Sequence, residues 1–392
     1  MTDAARRLAF VTPRYGPEIL GGAESLIRNT AERLAQRGHH VEVFSTHVTN
    51  LVTWEDAGGA RTEHIHHVLT HRYPVHWVNH DRYDALHGLL LGHNTLTPDE
   101  QMDWLAAGPH SAPLYETLRR RKEDFDLFIC APYPFPLVHY AAASIIERCA
   151  IWPCLHDESY TRLIPTRLLL RDAFCVFFNT RAERALAESA LHIQHPRTCV
   201  VGSGVEDIPG NPQRFRDAFN IHEPFLLYAG RLEEGKNVHL LLDLFEQYKS
   251  MTNNDLKLVL MGDGPCHRPS PHIIHLGFQQ EQMKRDGMAA ALALCQPSTN
   301  ESLSFVILES WLAGVPVLVH SACPVTREHV VLSGGGLHFN GIDMFRAVID
   351  TLIENPSLRR NMGQHGRQYV RTNYGWEATL TRFENALEEW LQ

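Results

Sequence analysis

Asn300-Glu-Ser-Leu-Ser-Phe-Val-Ile-Leu-Glu-Ser-Trp-Leu-Ala-Gly-Val-Pro-Val-Leu318 is the stretch on which the reading of this chain turns. It carries two carboxylates, Glu301 and Glu309, with seven residues between them. An apolar face starting at Phe305 predicts a short amphipathic helix to Ala313, with Gly314 placed to end it and residues 315–319 a buried strand. Glu301 then sits in the loop before the helix, and Glu309 more than one turn inside it. The first amides of such a helix, near Leu303 to Phe305, lack carbonyl partners. The helix dipole favours an anion in front of them. Amides for a phosphate beside acids for hydroxyl groups suit a phosphorylated sugar. Taken alone, Glu-x(7)-Glu reads more simply as a solvated helix with two surface acids, so the surroundings must decide.

Working outward, the half of the chain that holds this stretch repeats a βα rhythm. Residues 225–229, 256–261, 272–276 and 290–295 each read as an apolar strand. They end in Gly230-Arg-Leu-Glu-Glu-Gly-Lys236, Gly262-Asp-Gly-Pro265, Gly277-Phe278, and Pro297-Ser298. Successive strand ends rich in glycine, proline, charge and hydroxyl are the pattern of a ligand cleft along the carboxyl edge of a parallel sheet. Arg231 and Lys236 stand at the two ends of one loop, where both could reach a diphosphate. Charge-assisted hydrogen bonds of that kind contribute about 1.5–3 kcal/mol each.

The first half opens with a strand at residues 8–12, a long loop carrying Gly21-Gly22, a helix with Ala23, Leu26, Ile27, Thr30, Ala31 and Leu34 on one face, and a strand at 40–45. The loop lacks G-x-G-x-x-G, and no clear ribose-binding acid ends the second strand, which argues against a dinucleotide site. Gly22 suits close approach of the backbone to a ligand. Strands follow at 126–131, 151–155, 173–178 and 198–201, and a helix at 134–148. The second of these strands would deliver His156, Asp157 and Glu158 at its carboxyl end. Thr180 is placed to cap the helix at 181–189. Residues 51–108 are the least legible, with helix-like pieces at 83–91 and 98–106. Residues 207–224 have the composition of a linker. Helices are expected at 344–354, 357–372 and 376–390.

Length and composition bound the rest. At 392 residues the chain exceeds one ordinary core and predicts two domains. It is 44% hydrophobic and 21% charged, as a globular protein is. A net charge of −9 argues against nucleic acid as the main partner. No run of about eighteen apolar residues is present to span a membrane, and residues 1–7 do not read as a signal peptide. Eight cysteines without a C-x-x-C pair fit a reducing, cytoplasmic setting. The basic run Arg119–Lys122 reads as a solvated face, with peripheral contact to an anionic membrane as the other reading. His64 and His66 would share a strand face, but no cysteine or paired carboxylate completes a metal site with them.

In order and spacing these pieces resemble glycosyltransferase family 4, retaining enzymes of the GT-B fold. The pieces are Gly21-Gly22-Ala-Glu24, Gly204-Val-Glu206, Gly230-Arg-Leu-x(3)-Lys236, Gly262-x-Gly-Pro265, and Glu301-x(7)-Glu309 with Gly314-x-Pro316. The likeness runs nearly end to end. It implies two doubly wound, Rossmann-like α/β domains facing across a cleft. Residues 1–207 would form the acceptor domain, closed by a final helix at 374–392. Residues 208–373 would hold the nucleotide-sugar donor. By resemblance, Arg231 and Lys236 grip the donor diphosphate, Glu301 contacts the transferred sugar, Glu309 binds the ribose hydroxyls, and Gly22 lies near the phosphate. His156 would lie near the reacting centre, with Asp157 and Glu158 as candidates on the acceptor side. Gly230, Gly262, Gly264, Ser302, Leu303 and Ser304 complete the donor-side set.

Ser302-Leu-Ser304 stands where the family usually has a glycine-rich turn, so the room around the sugar differs. The implied reaction uses no cofactor, and no D-x-D suited to a metal is seen. Three alternatives compete: a GT-B epimerase or sugar phosphorylase, a nucleotide-sugar binding protein without turnover, and, weakly, a nicotinamide oxidoreductase. The donor sugar and base, the acceptor, the oligomeric state and the role of residues 51–108 do not follow from the sequence.

Overall fold

The computed structural model describes residues 5–19, 21–55 and 58–391. The chain divides into two compact units, Met1–Gly202 with Leu380–Gln392, and Ser203–Thr379.

In the first unit, β1 (Arg7–Val11) is buried from Leu8 onward, and α1 (Gly22–Gln36) returns the chain to β2 (His40–Thr46). Then come β3 (Arg61–Ile65), β4 (Val68–Tyr73), β5 (His76–Trp77), α2 (His80–Leu91), α3 (Pro98–Ala107), β6 (Pro109–His110) and α4 (Ala112–Arg120). The unit continues with β7 (Leu127–Cys130), α5 (Pro136–Ala143), β8 (Cys149–Ile151), α6 (Ile164–Asp172), β9 (Cys175–Phe178), α7 (Arg181–Ala190) and β10 (Thr198–Val200). The main sheet runs β10-β9-β8-β7-β1-β2-β4-β3. All neighbours are parallel except β3, which pairs antiparallel to β4 at the edge. The chain therefore leaves β1 in one direction, to β2 and β4, and later resumes on the other side with β7. That reversal opens a crevice at the carboxyl ends of β1 and β7.

The second unit holds α8 (Pro212–Phe219), β11 (Phe225–Ala229), α9 (Val238–Met251), β12 (Lys257–Met261), β13 (Ile273–His275), α10 (Glu281–Ala290), β14 (Ala293–Gln296) and α11 (Phe305–Leu312). It ends with β15 (Val317–His320), α12 (Pro324–Ser333), β16 (Gly336–Phe339), α13 (Ile342–Glu354) and α14 (Pro356–Asn373). Its sheet is wholly parallel, in the order β13-β12-β11-β14-β15-β16. A sheet covered on both faces explains why these strands read as continuous apolar runs rather than alternating ones. One core packs Phe215, Ile307, Trp311 and Val319 on one face; the other packs Leu241, Phe245, Leu318 and Phe345 on the opposite face.

The last helix, α15 (Trp376–Trp390), carries its segment from Leu380 onward in the first unit. There Phe383 packs against Trp152 and Phe177, with ring centroids 6.1 and 4.9 Å apart, and Trp390 stacks on Phe177.

Several expectations are corrected. Residues 207–224 are not a bare linker: Asn211 caps α8 by accepting the N–H groups of Gln213 and Arg214, and Phe215 is buried beneath it. The strand expected at 151–155 is β8, which stops at Ile151, so His156 lies five residues past it in a loop. Pro136 opens α5 late, and the helix expected over 134–148 breaks at Ala143 into a short 3-10 turn at Ile146–Arg148. His64 lies in β3, but His66 and His67 form the turn after it, both at positive φ, so His64 and His66 share no strand face. Among the described residues no three His, Cys, Asp or Glu side chains gather as a metal site needs.

The basic run is partly consumed within its own unit. Arg121 clasps the buried Glu42 through both terminal nitrogens, at 2.7 and 3.0 Å, and Lys122 pairs with Glu147 at 2.8 Å. Arg119 and Arg120 remain exposed. No helix among the described residues is long and apolar enough to cross a membrane.

Candidate active site

The second unit's sheet reverses direction between β11 and β14, and the candidate donor residues collect at the carboxyl ends of those two strands. The loop after β11 begins at Gly230. Beside it, Gly262 ends β12 at φ +136°, and a Cβ there would stand 1.9 Å from the Gly230 carbonyl oxygen. Gly264, at φ +148°, lies equally tight under the Leu232 carbonyl, where a Cβ would stand 2.3 Å away. Only a residue without a side chain lets the two loops close on each other. Leu232 N–H then donates to the Asp263 carbonyl at 2.9 Å, and the Tyr228 hydroxyl donates to the Arg231 carbonyl at 2.7 Å. These bonds hold the loop that carries both basic candidates.

Lys236 closes a 3-10 turn, Glu234–Lys236, and Asn237 follows at φ +57° with its amide on the Pro297 carbonyl. That cross-link sets Lys236 against the segment after β14. Its Nζ donates to Glu301 Oε1 at 2.8 Å, and both side chains are largely shielded from solvent. Arg231 points outward: its side chain is 74% exposed and pairs with Glu233 at 3.1 Å. The loop joins the two basic residues as expected, but of the two only Lys236 touches Glu301.

Ser302-Leu-Ser304 turns the chain into α11. Leu303 and Ser304 are buried, and Ser304 holds φ +68°, a left-handed conformation in which serine is strained and glycine is not. The amides from Leu303 onward precede the first full helical turn and lack intrahelical acceptors. Glu301, the amides and Lys236 thus meet at one edge of one sheet.

Glu309 is buried one turn into α11. It faces α10, where Arg285 Nη2 lies 3.0 Å from Oε1 and Lys284 Nζ lies 2.9 Å from Oε2. Both cations were passed over in the sequence, although Lys284-Arg285 precedes a glycine on a helix one strand before Glu301. Gln296 was also missed. Its Nε2 lies 3.4 Å from both Glu301 Oε1 and Ser304 Oγ, and its buried Oε1 accepts no hydrogen bond among the described residues. A glutamine ending an otherwise apolar strand was the available signal.

The first unit holds the remaining candidates. Gly22 begins α1, after Gly21 as N-cap. Glu24 in the first turn is bound by Arg14. His156 and Glu158 share one loop: Glu158 N–H and the Thr161 hydroxyl both donate to the His156 carbonyl. His156 Nδ1 stands 4.0 Å from Glu158 Oε1, which also accepts from the buried Tyr133 hydroxyl at 2.6 Å. Asp157 is set apart from this cluster, exposed and paired with Arg162. Below the loop lies Glu183, buried in α7. It accepts the N–H groups of Leu155 and Asn179 at 2.6 and 2.5 Å, and burial pushes its carboxyl up to about 8.

Comparison with known proteins bears on both units. Residues 211–369 match the family model for glycosyl transferases group 1. The chain is 27% identical over 266 residues to a lipopolysaccharide 1,2-N-acetylglucosaminetransferase of Salmonella typhimurium, covering 62% of this chain. It spans 65% of that relative's length. Among solved structures it superposes on HepE of Anabaena, determined with UDP and glucose, at a TM-score of 0.70, with 18% identity over 98% of this chain and 99% of that one. An α,α-trehalose-phosphate synthase of Burkholderia xenovorans gives a TM-score of 0.73, with 12% identity over 97% and 99%.

The chain has the GT-B fold. The matched segment, 211–369, contains all of the second-unit candidates from Gly230 to Glu309. The GT-B likeness thus extends over both units, while the family match rests on the second.

Proposed function

We propose that the chain is a glycosyltransferase that moves a hexose-type sugar from a nucleoside diphosphate sugar, with retention, to a glycan, lipid-linked or small-molecule acceptor. The observation that carries this reading is the Lys236–Glu301 pair, 2.8 Å apart, where the β11 loop meets the amides that open α11. A cation, helix-opening amides and a carboxylate at one strand edge match the needs of a donor whose diphosphate and sugar are adjacent. The group 1 match over the same residues, and a relative named as an N-acetylglucosaminetransferase, support it.

The bond that breaks joins the anomeric carbon to a phosphate oxygen, and negative charge grows on that oxygen. Lys236, Arg231 and the amides near Leu303 and Ser304 stabilise it more in the transition state than in the bound donor, which is what accelerates the step. The acceptor hydroxyl forms the new bond on the same face, and its proton passes to the departing phosphate. No pair of carboxylates straddling the bond is required, and the charge is met without a metal or cofactor. Glu301 holds the transferred sugar and Glu309 the ribose. We assign His156 to orienting the sugar or acceptor, with Glu158 and Asp157 as acceptor-side groups, and Gly22 to the phosphate.

Lys236→Ala should lower turnover by about a hundredfold or more, since each tenfold corresponds to about 1.4 kcal/mol. Donor hydrolysis and transfer, followed by release of the nucleoside diphosphate, measure it. A near-normal rate in a folded variant removes Lys236 from the mechanism.

A further inference from the structure

β14 reads Ala-Leu-Cys-Gln, and its last residue breaks the apolar run. Gln296 stands opposite Val319 of β15, a core residue, and is itself only 4% exposed. An apolar side chain would suit that position, because a buried amide gives up its water and needs partners in exchange. The partners found there belong to the candidate site. Nε2 lies 3.4 Å from Glu301 Oε1 and 3.4 Å from Ser304 Oγ, one acceptor for each of its two hydrogens. The carboxylate fixes which way the amide points, since a carbonyl oxygen turned toward Glu301 would be repelled. Oε1 therefore faces away, where it is buried and accepts nothing among the described residues. Two long hydrogen bonds and an unpaired carbonyl do not stabilise a fold where leucine would pack. Stability does not account for Gln296, and its place beside Glu301 points to function.

Lys236 supplies the second observation. Its Nζ holds the same oxygen, Glu301 Oε1, at 2.8 Å. Yet Lys236 is also the cation assigned to the diphosphate. A lysine drawn to a diphosphate relaxes its hold on Glu301. Among the described residues the other side chain that donates to that carboxylate is Gln296. Glu301 Oε2 meanwhile accepts no hydrogen bond among the described residues and, unlike Gln296 Oε1, is not sealed from solvent. One oxygen of Glu301 is thus anchored twice, and the other is left to meet a ligand.

We propose that Gln296 is a positioning residue for Glu301. Its amide keeps Oε1 anchored when the donor diphosphate engages Lys236, so that Oε2 stays turned toward a hydroxyl of the transferred sugar. The proposal rests on the reading of the site as one for a nucleoside diphosphate sugar. It divides donor binding in two. Gln296 governs the sugar through Glu301, whereas Lys236 and the α11 amides govern the diphosphate.

The test is calorimetric titration of the full chain with UDP, GDP and ADP, and with UDP-glucose, UDP-N-acetylglucosamine, GDP-mannose and ADP-glucose. Gln296→Leu should weaken the preferred nucleotide sugar by about tenfold or more, while the matching nucleoside diphosphate stays within about threefold. Urea melts should show that variant to be at least as stable as the unaltered protein. Gln296→Met covers the case in which leucine fails to fold. In a Glu301→Ala background, Gln296→Leu should change nucleotide-sugar affinity by about twofold or less, because a residue that acts through Glu301 then has nothing to position. An equal loss in both backgrounds overturns the proposal. So does a parallel loss for the nucleotide and the nucleotide sugar, which would mark a general disturbance of the site. Unchanged nucleotide-sugar affinity in folded Gln296→Leu overturns it too. Each of these leaves the donor site standing. Binding of no nucleoside diphosphate by the unaltered protein removes the donor reading and this proposal together.

Discussion

Glu183 accepts two backbone N–H groups from two different strand ends, that of Leu155 beyond β8 and that of Asn179 beyond β9. Burial outweighs those bonds and lifts its carboxyl to about 8, well above the value near 4.5 of an exposed glutamate. The sign follows by linkage. The folded state binds the proton more tightly than the unfolded one, so the stabilisation is full below pH 4.5 and is lost as pH rises through about 8. Glu183→Gln, which cannot ionise, should show a shallower loss of stability between pH 5 and pH 8.5 in urea melts. A slope equal to that of the unaltered protein would show that Glu183 does not titrate across that range. The residue was within reach of the sequence. Thr180 was read as a cap, and Thr-x-x-Glu is the spacing of a capping box. What the spacing does not reveal is that Glu183 also reaches Asn179 and Leu155, because those contacts depend on β8 and β9 lying side by side.

Among the elements, the loops after β11 and β12 and the turn into α11 carry the site, and each has a residue whose backbone sets the geometry. Gly262→Ala would place a methyl group 1.9 Å from the Gly230 carbonyl at a backbone angle that alanine avoids. It should destabilise the second unit by about 2–4 kcal/mol, read from urea melts. Ser304→Gly works in the other direction. It relieves the positive φ at the start of α11 and should add about 1 kcal/mol, by the same measurement, for the loss of only one weak 3.4 Å contact with Gln296. These glycines and the α11 boundary were legible because strand-loop-helix units announce themselves by apolar runs ending in glycine. The strands β3 and β4 were not. β3 reads Arg-Thr-Glu-His-Ile and is mostly exposed at the sheet edge, so it has no apolar alternation to detect. β4 mixes Thr70, His71 and Arg72 with its core positions because His71 and Arg72 are consumed by Glu42 and Glu63 on neighbouring strands. α8 was hidden by its polar composition, only Phe215 of its residues being buried.

For the molecule as a whole, two sheets with one reversal each were foreseeable from the doubled βα rhythm, but the closing of the first unit by α15 was implied only by family likeness. The physical tie is now specific. Besides the aromatic contacts of Phe383 and Trp390, Arg37 pairs with Glu384, Arg382 donates to the Val201 carbonyl at 2.7 Å, and Arg6 donates to the Leu391 carbonyl at 3.1 Å. Deleting residues 380–392 should therefore strip hydrogen-exchange protection from β8, β9 and β10 while β11 to β16 keep theirs. The melting transition of the first unit should fall by roughly 10 °C or more, since losing one buried aromatic alone costs about 3–5 kcal/mol. Retained protection in β9 would show that the segment is dispensable. The same arrangement has a consequence for synthesis. Residues 380–391 leave the ribosome after the whole of 203–379, yet they cover strands that emerged long before. Until they emerge, the first unit keeps Trp152 and Phe177 bare to water, the sort of greasy surface that chaperones bind.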